Sequence, residues 1–424
     1  MKYKTFFLVL FIPFFSLQAQ TTKQEVMDNI LRAGGSYYSY PTPNTKLTPA
    51  PKGYKLFYIS HYGRHGSRYI ASNDSYRNTI DKMALAEKEN KLTPLGKDVL
   101  RRLNIAYADA YRRECDLTRL GGRQHYGIAS RMYQNFPELL SKPIDIDAKA
   151  STSMRCALSM SYFCQKLYML NPKLCFTMDS SQRYVWYLAN GCGDSIKAKE
   201  GDDEMHQKLI SFKKKMHHSD RLMSELFTDS AFVKKNVDSF KMMDDLYGIA
   251  MNMQCLPELN LSFLDIFTKD ELFDLWQCDN ANWYYDEGFL PKCTPRYKSY
   301  YNLLRNILDT ADKVIAKGKP TVTLRFGHDV LIAGLTFAMK MKYCGDATED
   351  IDNLYKHWAN FKIIPMAANL QFIFYKNPGN NDVLVKILHN ENETSIPVKT
   401  DCAPYYHWKD VDAYYRSLLL NKNK

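Results

Sequence analysis

The chain has 424 residues, 45% hydrophobic and 24% charged, enough apolar material for a sizeable core and for two or three domains. Fifty-seven basic against 46 acidic residues leave +11, spread without a long basic block; the densest run is Lys213–Lys215. These figures exclude collagen, coiled coil, disordered chain and polytopic membrane protein, and a diffuse positive excess fits a cleft that receives anions better than a nucleic-acid tail.

The first segment, Met1–Ala19, reads as an export leader. Lys2 and Lys4 precede the apolar stretch Phe6–Phe15, and Ala19 offers a small residue for cleavage. That stretch is shorter than the roughly 20 residues needed to span a bilayer, so no stable membrane insertion is expected. Removing the leader lowers the charge from +11 to +9. Export to a periplasmic or extracellular location permits disulfides, and some bridges are expected among the ten cysteines, without an assignable pairing. No CxxC pair supports a zinc ribbon or a thioredoxin-type motif. Cys156 and Cys164, eight apart on an expected helix, fit buried thiols.

After a Pro-, Thr- and Tyr-rich stretch at Ser36–Lys52, the run Leu56–Ser60 has the length and β-formers of a buried strand. The segment His61–Arg68 is expected to be the tight glycine loop at its end. Ile144–Ala148 is a second strand, leading through Ser151–Ser153 into a helix over Met154–Leu170. Thr321–Phe326 is a third strand, ending in Gly327-His328-Asp329. Asn369–Tyr375 and Val383–His389 read as two more, joined by the hairpin signal Asn377-Pro378-Gly379-Asn380. Between them the chain is charged and helical in period, Leu256–Tyr285 being typical. The expected architecture is α/β, a mixed and mostly parallel sheet flanked by helices, carrying an inserted, mainly α-helical domain. The divisions are 1–19 (leader), 20–177 (first part of the α/β core), 178–318 (helical insertion) and 319–424 (second part of the core).

Arg64-His65-Gly66-Ser67-Arg68 places two arginines around a histidine at a strand end. Guanidinium forks match phosphate oxygens in pairs, and Gly66 admits a ligand close to the backbone. Between them His65 is placed to attack phosphorus, splitting hydrolysis into two displacements. At the other strand end, His328 can bind a phosphate oxygen and Asp329 can serve as general acid, its pKa expected to rise beside a dianion. Arg155, at the start of the Met154–Leu170 helix, adds a third cation where a helix N-terminus also favours anions.

These motifs resemble the histidine acid phosphatase family, whose pattern is Arg-His-Gly-x-Arg with a distal His-Asp. Leu92–Gly96, Leu117–Gly121 with His125 and Arg131, and Ser151–Phe163 are similar to its supporting segments. The resemblance implies His65 as nucleophile, Asp329 as proton donor, and Arg64, Arg68, Arg155 and His328 as the phosphate pocket. It also implies a small phosphate ester as substrate, with no metal, no cofactor and no nucleic acid. Within the family, Leu264–Leu272, Asp279 with Asn282–Tyr285, Ile364–Leu370 and Leu388–Glu391 look most like multiple inositol polyphosphate phosphatases and phytases. Those usually carry His-Ala-Glu where this chain has His328-Asp329-Val330, and a proline where it has Tyr69-Ile70. A broad-specificity acid phosphatase for sugar phosphates or nucleotides is therefore the alternative, ahead of a non-catalytic polyanion-binding protein.

Four further features carry less. His61 is expected in the second layer of the pocket or as a satisfied structural residue. His217-His218 are expected on a solvated helix face, and Trp283–Tyr285 in the core. Arg183, beside Trp186 and Tyr187, is a weaker candidate for touching substrate.

Overall fold

A computed structural model of the chain describes residues 15–43, 46–189, 200–289, 298, 300–344 and 347–420. Its centre is one eight-stranded sheet: β1 (Lys55–Arg64), β2 (Asp145–Ala150), β3 (Cys175–Ser180), β4 (Thr321–Gly327), β5 (Asn369–Lys376), β6 (Val383–His389), β7 (Asn392–Glu393) and β8 (Tyr405–His407). The order is β3-β2-β4-β1-β5-β6-β7, with β8 also on β6. The first four of these neighbours are mutually parallel, and β5 to β8 add antiparallel pairings. The expected α/β class and helix-flanked mixed sheet are observed.

Register determines where the motifs meet. Arg64 is opposite Gly327 across β1 and β4, and Ala150 is opposite Phe326 across β2 and β4. The three parallel strands therefore end side by side, bringing together the segments after residues 64, 150 and 327. Open α/β sheets place ligands at such carboxyl ends.

Two local expectations are corrected. His61–Arg64 is not loop: β1 continues through Gly63, pairing with Leu324–Gly327 on one side and Asn369–Gln371 on the other. A strand flanked on both sides has ladder partners for its backbone, which outweighs the local preference of one glycine. Over Leu256–Tyr285, single 3-10 turns at Pro257–Leu259 and Leu264–Ile266 precede a helix that starts only at Lys269. There Thr268 and Glu271 form a capping box. The hairpin at Asn377–Asn380 joins β5 to β6 as expected. Strand β3, at the sheet edge and largely exposed, has no counterpart in the sequence reading.

Apolar cores cover both faces of the sheet. On one face, Ile128 and Met132 of the Arg119–Asn135 helix and Phe163 and Leu167 of the Met154–Leu170 helix pack on Ile59, Ile146 and Leu324. On the other face, the helices Tyr301–Lys317, Asp329–Ala338 and Trp408–Leu420 pack on Tyr58, Phe374 and Val385. A third cluster joins the helices Asp74–Lys88 and Pro94–Ala110 to those between Ser219 and Glu287, around Leu103, Leu246 and Trp276.

Most of the expected leader lies outside the described residues, which begin at Phe15 within the helix Phe15–Asp28. No helix among the described residues is long and apolar enough to cross a membrane. The eight described cysteines are all free thiols, so the expected bridges are not found among them; Cys156 and Cys164 are buried. Cys192 and Cys293 lie outside the described residues.

Candidate active site

All six residues singled out from the motifs stand around the three strand ends. Arg64 closes β1, and His65 follows with its backbone N–H donating to the Gly327 carbonyl at 3.0 Å. His328 occupies the N-cap position of the Asp329–Ala338 helix. Arg155 lies in the first turn of the Met154–Leu170 helix. Neither helix start receives a side-chain cap from its N-cap residue, although the Val330 N–H donates to Asp329 Oδ1 at 3.0 Å, and a helix N-terminus favours an anion.

The nucleophile candidate is poised by its tautomer. His65 Nδ1 lies 2.9 Å from the carbonyl oxygen of Gly66. A carbonyl only accepts, so the proton resides on Nδ1 and Nε2 keeps its lone pair. Burial, then the charges of Arg64, Arg68 and Arg155, hold this imidazole well below its usual pKa. It is neutral and nucleophilic in mildly acidic solution. Its loop is tightly held: the Gly66 N–H donates to Ser159 Oγ (3.1 Å), the Ser67 N–H to Gln124 Oε1 (2.8 Å), and Thr118 Oγ1 to the Ser67 carbonyl (3.0 Å).

Arg64 is completely buried, with Nη1 donating to the carbonyls of Ser36 (2.6 Å) and Ile364 (2.7 Å). Its Nη2 lies 2.6 Å from Asp329 Oδ2. Arg64 Nε and Arg155 Nε are buried and have no hydrogen-bond partner among the described residues. Unpaired buried donors cost about 1–3 kcal/mol each, so such a pair calls for an acceptor from outside.

His328 is partly buried, its ring 5.8 Å from that of His65, and burial followed by the Arg155 charge lowers its pKa to about 4. Arg155 Nη2 lies 3.4 Å from its Nδ1, and Ser151 Oγ lies 3.2 Å from its Nε2. Its backbone is fixed by Tyr62, whose hydroxyl accepts from the His328 N–H (2.9 Å) and donates to the His328 carbonyl (3.3 Å).

Asp329 departs from expectation. Its burial raises the pKa, but Arg64, Arg68 and His328 together bring it below the ordinary carboxylate value. In the free site the carboxylate is ionised. The expected rise needs a bound dianion that competes for the same arginines.

The weaker candidates separate. His61 is buried without a partner for either ring nitrogen among the described residues, so of the two expectations the satisfied structural residue is not met; with His125 it packs against Phe163 and Phe326 in tilted and edge-on contacts. Arg131 is committed to Glu391 at 2.7 Å. His217 is buried, paired with Asp244 at 2.5 Å and stacked on Phe240, rather than solvated; His218 is exposed. Tyr284 and Tyr285 are core, and Arg183 is exposed. Among the described residues, the converging group of metal-ligand type is Asp401, Cys402 and His407 beside β8, outside the catalytic motifs. Ser36, Tyr37, Tyr62, Gln124 and Ile364 were not foreseen, because each contributes a carbonyl or a single polar atom that no spacing rule marks.

The family model of the histidine phosphatase superfamily (branch 2) matches residues 63–390, more than half of the chain. The protein belongs to that family and is a phosphatase. No curated protein matches it. Among solved structures, the Bifidobacterium longum multiple inositol polyphosphate phosphatase in complex with inositol hexasulfate has a TM-score of 0.72 at 19% identity, covering 91% of this chain and 97% of that one. The phytase from D. castellii has a TM-score of 0.69 at 16% identity, covering 93% and 86%. The Hafnia alvei phytase in complex with myo-inositol hexakis sulphate has 0.55 at 14% identity, covering 87% and 98%. At these identities the likeness is one of fold.

Proposed function

We propose that the chain is an exported, metal-independent phosphomonoesterase that works through a phosphohistidine, with inositol polyphosphates such as phytate as candidate substrates. The observation that carries this reading is the pair of unpartnered buried guanidinium donors, Arg64 Nε and Arg155 Nε, around a neutral His65. Clamped cations offset the negative charge that repels a nucleophile from a phosphoryl group. His65 Nε2 forms a bond to phosphorus as the bond to the leaving oxygen breaks. As the bound phosphoryl group competes for Arg64, the Asp329 carboxylate takes up a proton from solvent, and it gives that proton to the leaving oxygen. A water molecule then gives its proton back to Asp329 and attacks phosphorus, releasing phosphate and His65.

Inositol polyphosphate is supported by the names of the structural neighbours, two of which hold sulfated inositols. The His328-Asp329 pair, in place of His-Ala-Glu, favours the second reading of a broad-specificity acid phosphatase. Phosphate release from phytate, glucose 1-phosphate and p-nitrophenyl phosphate, beside a His65→Ala control, separates the two. A kcat/KM much higher on phytate supports the first, and a flat profile supports the second. Turnover retained by His65→Ala overturns the phosphohistidine route, and inhibition by EDTA that added metal reverses overturns the metal-free one. Export rests on the leader Met1–Ala19, and finding the intact leader on a cytoplasmic product would refute it.

A further inference from the structure

The segment ahead of β1, the 3-10 stretch Ile30–Tyr37, carries no catalytic motif, yet its last two residues touch both motif arginines. The Ser36 carbonyl accepts from Arg64 Nη1. The Tyr37 hydroxyl accepts from Arg68 Nη1 at 3.2 Å, and the Arg68 guanidinium carbon lies 5.1 Å from the centre of the Tyr37 ring. We propose that Tyr37 is a positioning residue of the phosphate clamp, holding Arg68 in the orientation that receives an oxyanion. The proposal rests on the phosphatase reading above.

The Arg68 side chain shares the same Nη1 with the Tyr69 carbonyl at 2.9 Å, and its guanidinium makes no other hydrogen bond or ion pair among the described residues. One corner of the fork is pinned, and Nε and Nη2 are left to an incoming anion. An arginine free to rotate carries side-chain entropy that would have to be lost on each binding event. Ring stacking and the hydroxyl contact remove that freedom beforehand, the preorganisation that makes a charge clamp effective.

Tyr37 is itself held by the helical part of the chain. Its carbonyl accepts from Cys255 Sγ at 3.6 Å, the Ala33 carbonyl accepts from Tyr247 at 2.6 Å, and the Ser39 N–H donates to Gln254 Oε1 at 2.9 Å. Gly35 has φ +54° and lies against Asp279 and Asn360, where a Cβ would come within 2.4 Å of Asp279 Oδ2. Residues 247–280 thus shape the phosphate pocket through Tyr37, although none of them belongs to a catalytic motif.

The test is a double-mutant cycle: Tyr37→Leu and Tyr37→Phe, each in the wild type and in Arg68→Ala. It is read as kcat/KM on p-nitrophenyl phosphate and as affinity for inorganic phosphate by calorimetry. In the wild-type background, Tyr37→Leu is expected to lower both by about 10-fold and Tyr37→Phe, which keeps the ring, by less; with Arg68 gone, Tyr37→Leu should change them by less than about 2-fold. A loss as large without Arg68 as with it overturns the proposal, since a packing role does not depend on Arg68. So does the absence of any loss in the wild-type background. If the leucine variant fails to fold, the Tyr37→Phe arm of the cycle decides by the same criterion. A wild type that binds phosphate without turnover fails the phosphatase reading while the affinity cycle still tests Tyr37; one that does neither overturns both.

Discussion

Arg64 Nη2 stands 2.6 Å from Asp329 Oδ2, so the guanidinium of the first motif and the carboxylate of the second are an ion pair before any substrate arrives. Arg64 is fully buried and the Asp329 side chain is 14% exposed. Losing one member of such a pair leaves a buried charge uncompensated.

Asp329→Asn should therefore cost stability, about 3 kcal/mol, as well as proton donation. In kinetics it should slow alkyl phosphates far more than p-nitrophenyl phosphate, whose leaving group needs little protonation. Chemical denaturation and a two-substrate comparison check the two parts. Equal rate losses on both esters would make Asp329 a positioning group only.

His65, held well below the usual histidine pKa, and His328, lowered to about 4, predict that neither imidazole of the free site titrates around the ordinary histidine value. The pH profile of kcat/KM, corrected for ionisation of the substrate, should then show no acid limb from an imidazole there. A limb near the ordinary histidine value would contradict the electrostatics described above.

Asp279 has the opposite behaviour to Asp329. Burial raises its pKa to about 6, against weaker lowering by hydrogen bonds from Asn360 and Trp283. The folded state therefore holds this proton more tightly than the unfolded one. Its contribution to stability is present at low pH and is lost as pH rises from about 4 through 6. Asp329, lowered in the fold, contributes above the unfolded carboxylate value and loses that contribution as pH falls through its folded pKa. Asp279→Asn should stabilise the protein at neutral pH by up to about 3 kcal/mol and flatten that part of the stability–pH curve. Melting temperatures of the two proteins at pH 4 and pH 7 provide the check; an unchanged difference between them would refute it.

Gly66→Ala should damage the site without touching a charged group. A Cβ at Gly66 would lie 2.4 Å from the Gly121 carbonyl oxygen, and backbone atoms there have little room to give. The expected result is a loss of about 1–3 kcal/mol together with a fall in kcat, from displacement of His65. Wild-type kcat in a stable Gly66→Ala protein would show that the loop can relax.

Much of this site was legible because each motif follows a run of apolar β-formers. Once Leu56–Ser60 and Thr321–Phe326 are read as buried strands, His65 and Asp329 fall beyond their carboxyl ends. The helix Met154–Leu170 was found within its observed limits for a similar reason: Ser153 stands ahead of a continuous helical pattern. What escaped depends on long-range pairing. The continuation of β1 through Gly63 is imposed by neighbours on both sides, and β3 lies on an exposed edge with no apolar run to mark it. Ser36 and Ile364 act through main-chain carbonyls, which leave no trace in residue type. The lowered pKa of Asp329 comes chiefly from Arg64, with Arg68 and His328 adding to it, and the Arg64–Asp329 pairing is one that spacing along the chain cannot show.

The adjacency of β1 and β4 also has a kinetic side. The Tyr58 and Thr323 hydroxyls bond across 265 positions of sequence, and Arg64 meets Gly327 over a similar span. Parallel pairing over such a distance carries a large loop-closure entropy and forms slowly. A chain still being synthesised, with nothing yet made beyond residue 320, holds His65 but neither β4 nor β5, the two neighbours of β1. Catalytic competence is in consequence a late product of folding, acquired only when the C-terminal quarter of the chain closes the sheet.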